Sequence, residues 1–490
     1  MRIDLCGLGE SREHGTAINM LPDEVLAEIF DACRMNETGI ESWKRKSRLV
    51  GGLEPWKWKW ARLVHVCRRW RQIIFSSPRR LNVRLFCTHG TPVAKKLACW
   101  PAFPIALEYW NGGEEDHIIA ALEYPDRVCH IKIDSMNLRI GKVATAMQKP
   151  YPALKSLVLL SSRSKQRKIP PGVLGGSALH LQEIAVVGVS FPALPTFLST
   201  ACDLVNLKLI YVPWKDFPSP EKIVKGLATA TRLQRLRIEY RKPRTPARLT
   251  SSTHRLPPLT RTTLPSLTSL ELCSTHEYLE DFVAQVDVPQ LRLTDVRYFQ
   301  QNDLRVPELL QFMKRSEGVR LTQFKRVDII LDDCVIFDAY HEAKSPTSSV
   351  RISITYCGTK RRVPYMIQFL SQFSFCHVDC LYIHLDWGSR VKINNGEWLE
   401  LLHLFTAVQA LHVSEKFANQ LSVFLKSVTA EMGILPALEL LCVGNRSMSV
   451  DKFVNIVGRQ ECRLSLYVAN TLPGLCYHVI QYFTRAPTRT

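Results

Sequence analysis

The sequence predicts an α/β chain in which a short N-terminal helical module leads into an irregular solenoid, a horseshoe with a parallel sheet on its concave side. Two amphipathic stretches near the N-terminus place apolar residues at helical spacing. Beyond Leu81 an L-x-x-L-x-L pattern keeps returning, and each copy reads as a short strand entering a shared core. The composition agrees, because 490 residues with 46% hydrophobic and 22% charged side chains fold, and a repeat array reaches that length without one oversized spherical core.

Residues 1–17 read as a flexible tail, with Arg2, Asp4, Glu10, Arg12 and Glu13 where a secretory leader needs an apolar run. The helical module is read over 18–80. Its first helix runs from Ile18 to Phe30, with Leu21, Val25, Leu26, Ile29 and Phe30 on one face. Pro22 suits the first helical position, where its missing N–H costs nothing, and Asp23 and Glu24 face the positive end of the helix dipole. A second helix is read from Trp60 to Phe75, with Leu63, Val64, Cys67, Trp70 and Ile74 on one stripe, and Ser76-Ser77-Pro78 stops it. The insert 34–59 between them carries Lys44-Arg45-Lys46 and leads through Trp56 and Trp58 to Trp60. These rings are read as anchors over the hairpin; stacking on single-stranded bases, with Lys57 and Lys59 on phosphates, is the other use of such a pattern.

Leu21-Pro22-Asp23-Glu24-Val25-Leu26, followed by Val66-Cys67-Arg68-Arg69-Trp70-Arg71, resembles an F-box. The order of these motifs, closing on Ser76-Ser77-Pro78-Arg79, is similar to the F-box-like proteins of mushroom-forming fungi. The resemblance covers roughly the first sixth of the chain and implies binding to a Skp-type adaptor. By that likeness Leu21, Pro22, Val25, Leu26 and Ile29 pack on the adaptor or brace the helical bundle, and Val66, Cys67, Trp70 and Ile74 complete the surface. A plain helical hairpin capping the repeats is the alternative reading of the same residues.

The solenoid is read over 81–470. Its copies begin at Val128, Leu154, Leu181, Leu204, Leu233 and Leu267, and again at Phe324, Val378, Val408 and Leu438. Most intervals are 23 to 34 residues, around the period of roughly 20–29 expected for leucine-rich repeats, and wider gaps hold weaker copies such as Ser349 to Ile354. The array resembles the degenerate leucine-rich repeats that often follow an F-box, in period more than in motif; a mixed α/β domain with Leu-rich strands is the alternative. Residues flanking the buried positions alternate onto the open face of the strands and are the candidates for target contact. They are His130, Lys132, Asn206, Lys208, Arg235, Arg237, Glu271, Arg326, Asp328, Tyr382, His384 and His412. Arg235 and Arg237 share a face and suit a carboxylate or phosphate. The Pro-, Ser- and Arg-rich stretch 241–265 reads as a mobile basic loop, Ser161–Lys168 and Lys360–Arg362 as smaller basic stretches, and 471–490 as a C-terminal cap and tail.

The balance of 64 Lys+Arg against 45 Asp+Glu gives +19, which favours an anionic partner without naming one. The 15 cysteines are too sparse for a disulfide scaffold, so free thiols in a reducing cytoplasmic or nuclear compartment are expected, and no apolar run is long enough for a bilayer. The zincin, P-loop, nucleophile-elbow and dinucleotide fingerprints are all missing, so no catalytic residue and no cofactor is assigned. Cys376, His377, Cys380 and His384 have zinc-ligand chemistry, but strand alternation spreads them over two faces and no metal is assigned. Together these observations lead to a non-enzymatic substrate-recognition subunit of a cullin-RING ubiquitin ligase, as the F-box resemblance implies. A Skp-type adaptor would link it to a cullin scaffold, and the ribbon would grip a target protein, acidic or phosphorylated. A repeat scaffold without a ligase role and a basic nucleic-acid-binding protein are the other classes the sequence admits.

Overall fold

The computed structural model describes 20–35, most of 63–76, most of 85–443, and Ser465–Tyr467. Residues 1–19, 36–62, 77–84, 241–260, 425–433, 444–464 and 468–490, with shorter connections, lie outside the described residues. The N-terminal tail, the tryptophan insert, the basic segments 162–167 and 360–361, and the expected C-terminal cap therefore fall there. Contacts divide the chain into two compact units, Met1–Leu138 with Tyr151–Leu154, and Arg139–Pro150 with Lys155–Thr490.

In the first unit the helix Asp23–Met35 buries Leu26 and Phe30 and the helix Arg68–Ser76 buries Ile73 and Ile74, whereas Val25 and Ile29, expected on the same face as Leu26, stay exposed. Pro22 stands just outside the first helix, and its carbonyl accepts from the Leu26 N–H at 3.0 Å. The helix Arg68–Ser76 follows a turn at His65 and Val66, Leu63 ahead of that turn is helical, and the expected start at Trp60 lies outside the described residues. Leu26, Phe30, Ile73 and Ile74 pack with Leu85 and Phe103 into one core, with Leu21 and Trp70 partly buried against it. Each fully buried side chain of this kind stabilises by about 1.5–3 kcal/mol. The Arg69 guanidinium ties the helices together, donating to Asp23 Oδ1 at 2.8 Å and to the Leu21 carbonyl. Strands β1 (Leu85–Thr88), β2 (Ile105–Tyr109) and β3 (Val128–Asp134) pair in parallel in that order.

The second unit repeats one plan: an alternating strand, a turn and a helix or loop. Its strands are β4 (Ser156–Leu160), β5 (Glu183–Val187), β6 (Asn206–Val212), β7 (Arg235–Tyr240), β8 (Thr262–Thr263), β9 (Ser269–Ser274) and β10 (Val286–Asp287). They continue as β11 (Leu293–Gln301), β12 (Arg326–Leu331), β13 (Cys334–Tyr340), β14 (Val350–Tyr356), β15 (Cys380–Leu385), β16 (Ala410–Val413), β17 (Leu440–Val443) and β18 (Ser465–Tyr467). The sheet runs in the order β4-β5-β6-β7-β9-β11-β14-β13-β12-β15-β16-β17-β18, and β8 pairs with β10 apart from it. The expected apolar positions point inward: Leu157, Ile184, Leu207, Leu236, Leu270, Val327, Leu381 and Leu411 are all at most 1% exposed. Helices fill that side with their own stripes, as Pro220–Leu227 does with Ile223, Val224 and Leu227, and Asn395–His403 with Trp398, Leu401 and Leu402. The latter starts on a capping box between Asn394 and Glu397, which satisfies two otherwise orphaned N–H groups.

Two expectations are corrected here. The sheet is not wholly parallel, because β13 runs antiparallel to both β12 and β14. β12 lands three strands beyond β11, and the chain folds back through β13 to place β14 beside β11. Two residues separate β12 from β13 and nine separate β13 from β14, both short of the dozen or so that a parallel crossover demands. The second correction concerns the basic loop, whose expected end at 265 is too late. Thr262 and Thr263 form β8, and Leu264 is 1% exposed.

Gly188, at the end of β5, has φ +68°, and a Cβ there would lie 2.2 Å from the Ser161 carbonyl oxygen. Gly188→Ala is expected to destabilise the fold by about 1–3 kcal/mol through this strain and clash, measured by urea denaturation.

Candidate functional site

Two surfaces carry the candidate residues. On the N-terminal helices the nine adaptor candidates divide by burial. Leu26 and Ile74 are core residues at 0% and 1% exposure. Leu21 and Trp70 brace that core, with Trp70 against Phe30 at 4.8 Å between ring centroids, and the half-buried Cys67 accepts from the Trp70 N–H. Pro22, Val25, Ile29 and Val66 are instead exposed. Val25 (41%) and Ile29 (37%) lie one helical turn apart on the same face, and Val66 is 58% exposed. Met20, 82% exposed, joins this set, although it was not among the residues read onto the apolar face of the first helix.

The second surface is the open face of the sheet. Strand register sets Lys208 beside Arg237, Arg237 beside Glu271, and Glu271 beside Asp295. The same row continues through Arg351, Asp338, Asp328, Tyr382 and His412 to Cys442. Nine of the twelve target candidates therefore belong to this row or flank it: Lys208, Arg237, Glu271, Asp328, Tyr382 and His412 lie in it, and Arg235, Arg326 and His384 lie on the same face beside it. Asn206 lies on the same face of β6 but is nearly buried, and its Oδ1 accepts from Arg235 Nε at 2.5 Å. His130 and Lys132 lie half-buried on β3 of the first unit.

Most of the row's cations are already held within the chain. Arg237 bonds Glu239 at 2.9 Å and Glu271 at 3.0 Å, so the expected Arg235–Arg237 fork is not open to a ligand as a pair. Arg297 grips Asp295 through two bonds of 3.1 and 2.6 Å, and Arg351 grips Asp338 through two of 2.7 and 2.8 Å. Arg326 grips Asp328 at 2.7 and 2.6 Å. Arg326 and Asp328 were expected at the solvent side of the face, but they are 6% and 7% exposed. Two rings explain it: the Arg326 guanidinium lies 4.6 Å from the Tyr340 centroid and 4.2 Å from that of Tyr382. Asp328 and Asp338 are direct cross-strand neighbours. Like charges so placed destabilise a sheet, and the two arginines neutralise them. Burial raises the Asp338 pKa in spite of Arg351.

The stack continues sideways. Tyr382 lies face to face with His412, at 4.0 Å and 4° between ring planes, and His384 stands 6.0 Å from Tyr382. Burial, with His384 and Arg326 nearby, pulls the His412 pKa down to about 4, and burial lowers that of His384. Neutral imidazoles suit this stack, since Arg326 already places a cation on the other side of the Tyr382 ring.

A further feature of this face lies at the end of β6. The register shifts between Ile210 and Val212, which makes Tyr211 the extra residue of a bulge. Tyr211 has φ +54° and is 52% exposed, at a backbone cost of roughly 1–2 kcal/mol for a non-glycine residue. The nearby Glu239 carboxylate, with burial, raises the tyrosine pKa. Sequence periodicity missed Tyr211, because strict alternation would turn it inward. It also missed Glu239, Asp295, Arg297, Asp338, Tyr340 and Arg351. One signal was present for several of them: opposite charges two residues apart, as in Arg237/Glu239, Asp295/Arg297 and Arg326/Asp328, face the same way on a strand.

Among the described residues no group of His, Cys, Asp and Glu is arranged to hold a metal ion. Cys376 and His377 sit in the turn before β15, away from the strand positions of Cys380 and His384. No described helix is long and apolar enough to cross a membrane.

No known family profile matches the chain. No curated protein matches it either. Among solved structures, a leucine-rich repeat-containing protein of Legionella pneumophila is similar over 77% of this chain and 99% of its own, with 11% identity and a TM-score of 0.25.

Removing one partner of the Arg326–Asp328 pair leaves a buried charge alone. Asp328→Ala is expected to cost about 3–5 kcal/mol by chemical denaturation, with a much smaller loss in an Arg326→Met/Asp328→Leu double variant. A second expectation follows from the depressed histidines. Below the ordinary pKa of 6.5 the unfolded chain binds a proton at His412 that the folded chain refuses down to about 4. Stability is therefore complete above that window and falls as the pH drops through it. His412→Phe, which keeps a ring in the stack, should flatten the fall in melting temperature between those limits.

Proposed function

We propose that the chain is a protein-interaction scaffold that serves as a substrate-recognition subunit of a cullin-RING ubiquitin ligase. Its N-terminal helices would hold a Skp-type adaptor and, through it, a cullin scaffold, while the open sheet face would bind a target protein. The chain itself would make or break no bond. Its part would be to keep a target lysine close to the charged ubiquitin carrier, which raises the effective concentration of the reacting groups.

One observation carries this reading. The helical pair has a complete core of its own in Leu26, Phe30, Ile73 and Ile74, yet leaves Val25, Ile29, Val66 and Met20 exposed. An amphipathic helix with a second apolar stripe toward water is the form that a partner helix covers. The F-box-like residues supply that stripe. The rows of paired charges on the sheet support the target-binding half, since rigid side chains lose little freedom when a ligand arrives.

Co-purification of the full chain with a Skp-type adaptor tests the proposal. A Val25→Asp/Ile29→Asp double variant is expected to lose the adaptor while keeping its circular dichroism and melting temperature, because both residues lie outside the core. Absence of wild-type binding, or equal binding by the variant, would overturn the adaptor role and leave a scaffold capped by a helical hairpin.

A further inference from the structure

We infer that Ile210, Tyr211, Lys208 and Arg235 form a docking patch for an extended segment of a partner protein that carries a carboxylate beside an apolar side chain. The inference deepens the target-binding half of the proposed function and does not depend on the adaptor-binding half.

Val187 of β5 pairs with Ile210 of β6, so Gly188 and Tyr211 occupy equivalent places, one residue further on. Both are left-handed, at φ +68° and +54°. The earlier repeat uses glycine, the residue this conformation favours, and the later one holds a tyrosine there. Bulges re-aim side chains, and this one turns Tyr211 out to the open face beside Ile210, where the ring stays half exposed. A strained, exposed aromatic that contributes little to the core is the kind of residue that anchors a protein interface.

Lys208 is half-buried between Arg235 and Arg237 and makes no salt bridge among the described residues. Burial lowers its pKa, and the two arginines add to that effect against Glu183 and Glu271. Arg235 is exposed, and its bond to Asn206 engages Nε, which leaves the outer N–H groups toward solvent. One incoming carboxylate would relieve the crowding of Lys208 and Arg235 and accept from both. Glu183, Glu239 and Glu271 surround the patch, so a continuous polyanion such as nucleic acid meets repulsion where an isolated acid does not. Along β6 the cationic and apolar ends lie about 10 Å apart at about 3.3 Å per residue, within the reach of side chains one to three residues apart on an extended peptide.

The test uses the full chain and an array of short peptides in which one Asp or Glu stands near an aliphatic or aromatic residue. Matched arrays replace the acid by Asn or Lys, and a single-stranded oligonucleotide serves as competitor. The wild type should bind acidic members selectively. Lys208→Met and Tyr211→Gly should each weaken the best peptide by about tenfold or more by calorimetry, and Lys222→Met, in a helix on the other side of the sheet, should not. Tyr211→Gly should also melt at or above the wild-type temperature, because glycine relieves the strain. Indifference to the acid, equal affinity in both variants, or stronger binding of the oligonucleotide would overturn the patch. So would a marked drop in melting temperature in Tyr211→Gly together with unchanged binding by Lys208→Met. Adaptor co-purification should be unchanged in both variants, which keeps this outcome separate from that of the N-terminal surface.

Discussion

Strand register is the constraint on which the second unit depends. Alternate residues of each strand must enter the helix-covered side, so the remaining residues have no choice but to line the other face together. A slip of one residue in β7 would turn Arg235, Arg237 and Glu239 into the helix-covered side and Leu236 and Ile238 out of it, which no local adjustment could offset. Because each strand takes its register from its neighbour, charged residues from widely separated parts of the chain arrive in one line. Lys208 and His412 belong to the same row although eight strand pairings separate them. The chemistry of the open face is thus a by-product of where leucine and isoleucine must go.

That is why so much of the fold could be read from the sequence. Leu207/Leu209 and Leu381/Ile383 mark their strands by period alone, and the same period places Lys208 and Tyr382 on the opposite side. The reversal at β13 could not be read, because alternation has no direction: Cys334–Tyr340 looks the same along either course. Strand order is equally silent in a period, so nothing local showed that β14 would lie beside β11. The burial of Arg326 was hidden for a related reason. It depends on Tyr340 and Tyr382, one from the reversed strand and one from β15, which meet over the guanidinium only once the order is known. At the N-terminal helices the period showed which residues are apolar but not which of two apolar stripes the core would claim.

The reversal and the buried charges belong together physically. Turning β13 around makes Asp338 the direct neighbour of Asp328, an arrangement that two bare carboxylates would oppose. Arg326 and Arg351 flank the pair with two-pronged bonds, so each charge is met and the preferred register is the one that aligns all four. Replacing such groups with apolar residues often leaves stability intact, so their value lies in specifying one alignment more than in adding net energy. The tyrosine and histidine rings beside them then have a fixed platform on which to stack.

The charge on the open face bears on what it can recognise. Lys208, Arg235, Arg237, Arg297, Arg326 and Arg351 stand against Glu183, Glu239, Glu271, Asp295, Asp328 and Asp338, six cations to six carboxylates. The chain's excess of +19 is therefore not drawn from these rows. A neutral mosaic exerts little long-range pull, and between exposed charges screening removes most of what remains beyond roughly 8–10 Å. Recognition on such a face works at contact distance, by matching one charge and one apolar surface at fixed spacing. Selectivity then comes from the carboxylates that turn away a wrong charge as much as from the cations that accept the right one. A polyanion-binding groove needs the opposite design, a continuous run of cations along the track of the phosphates.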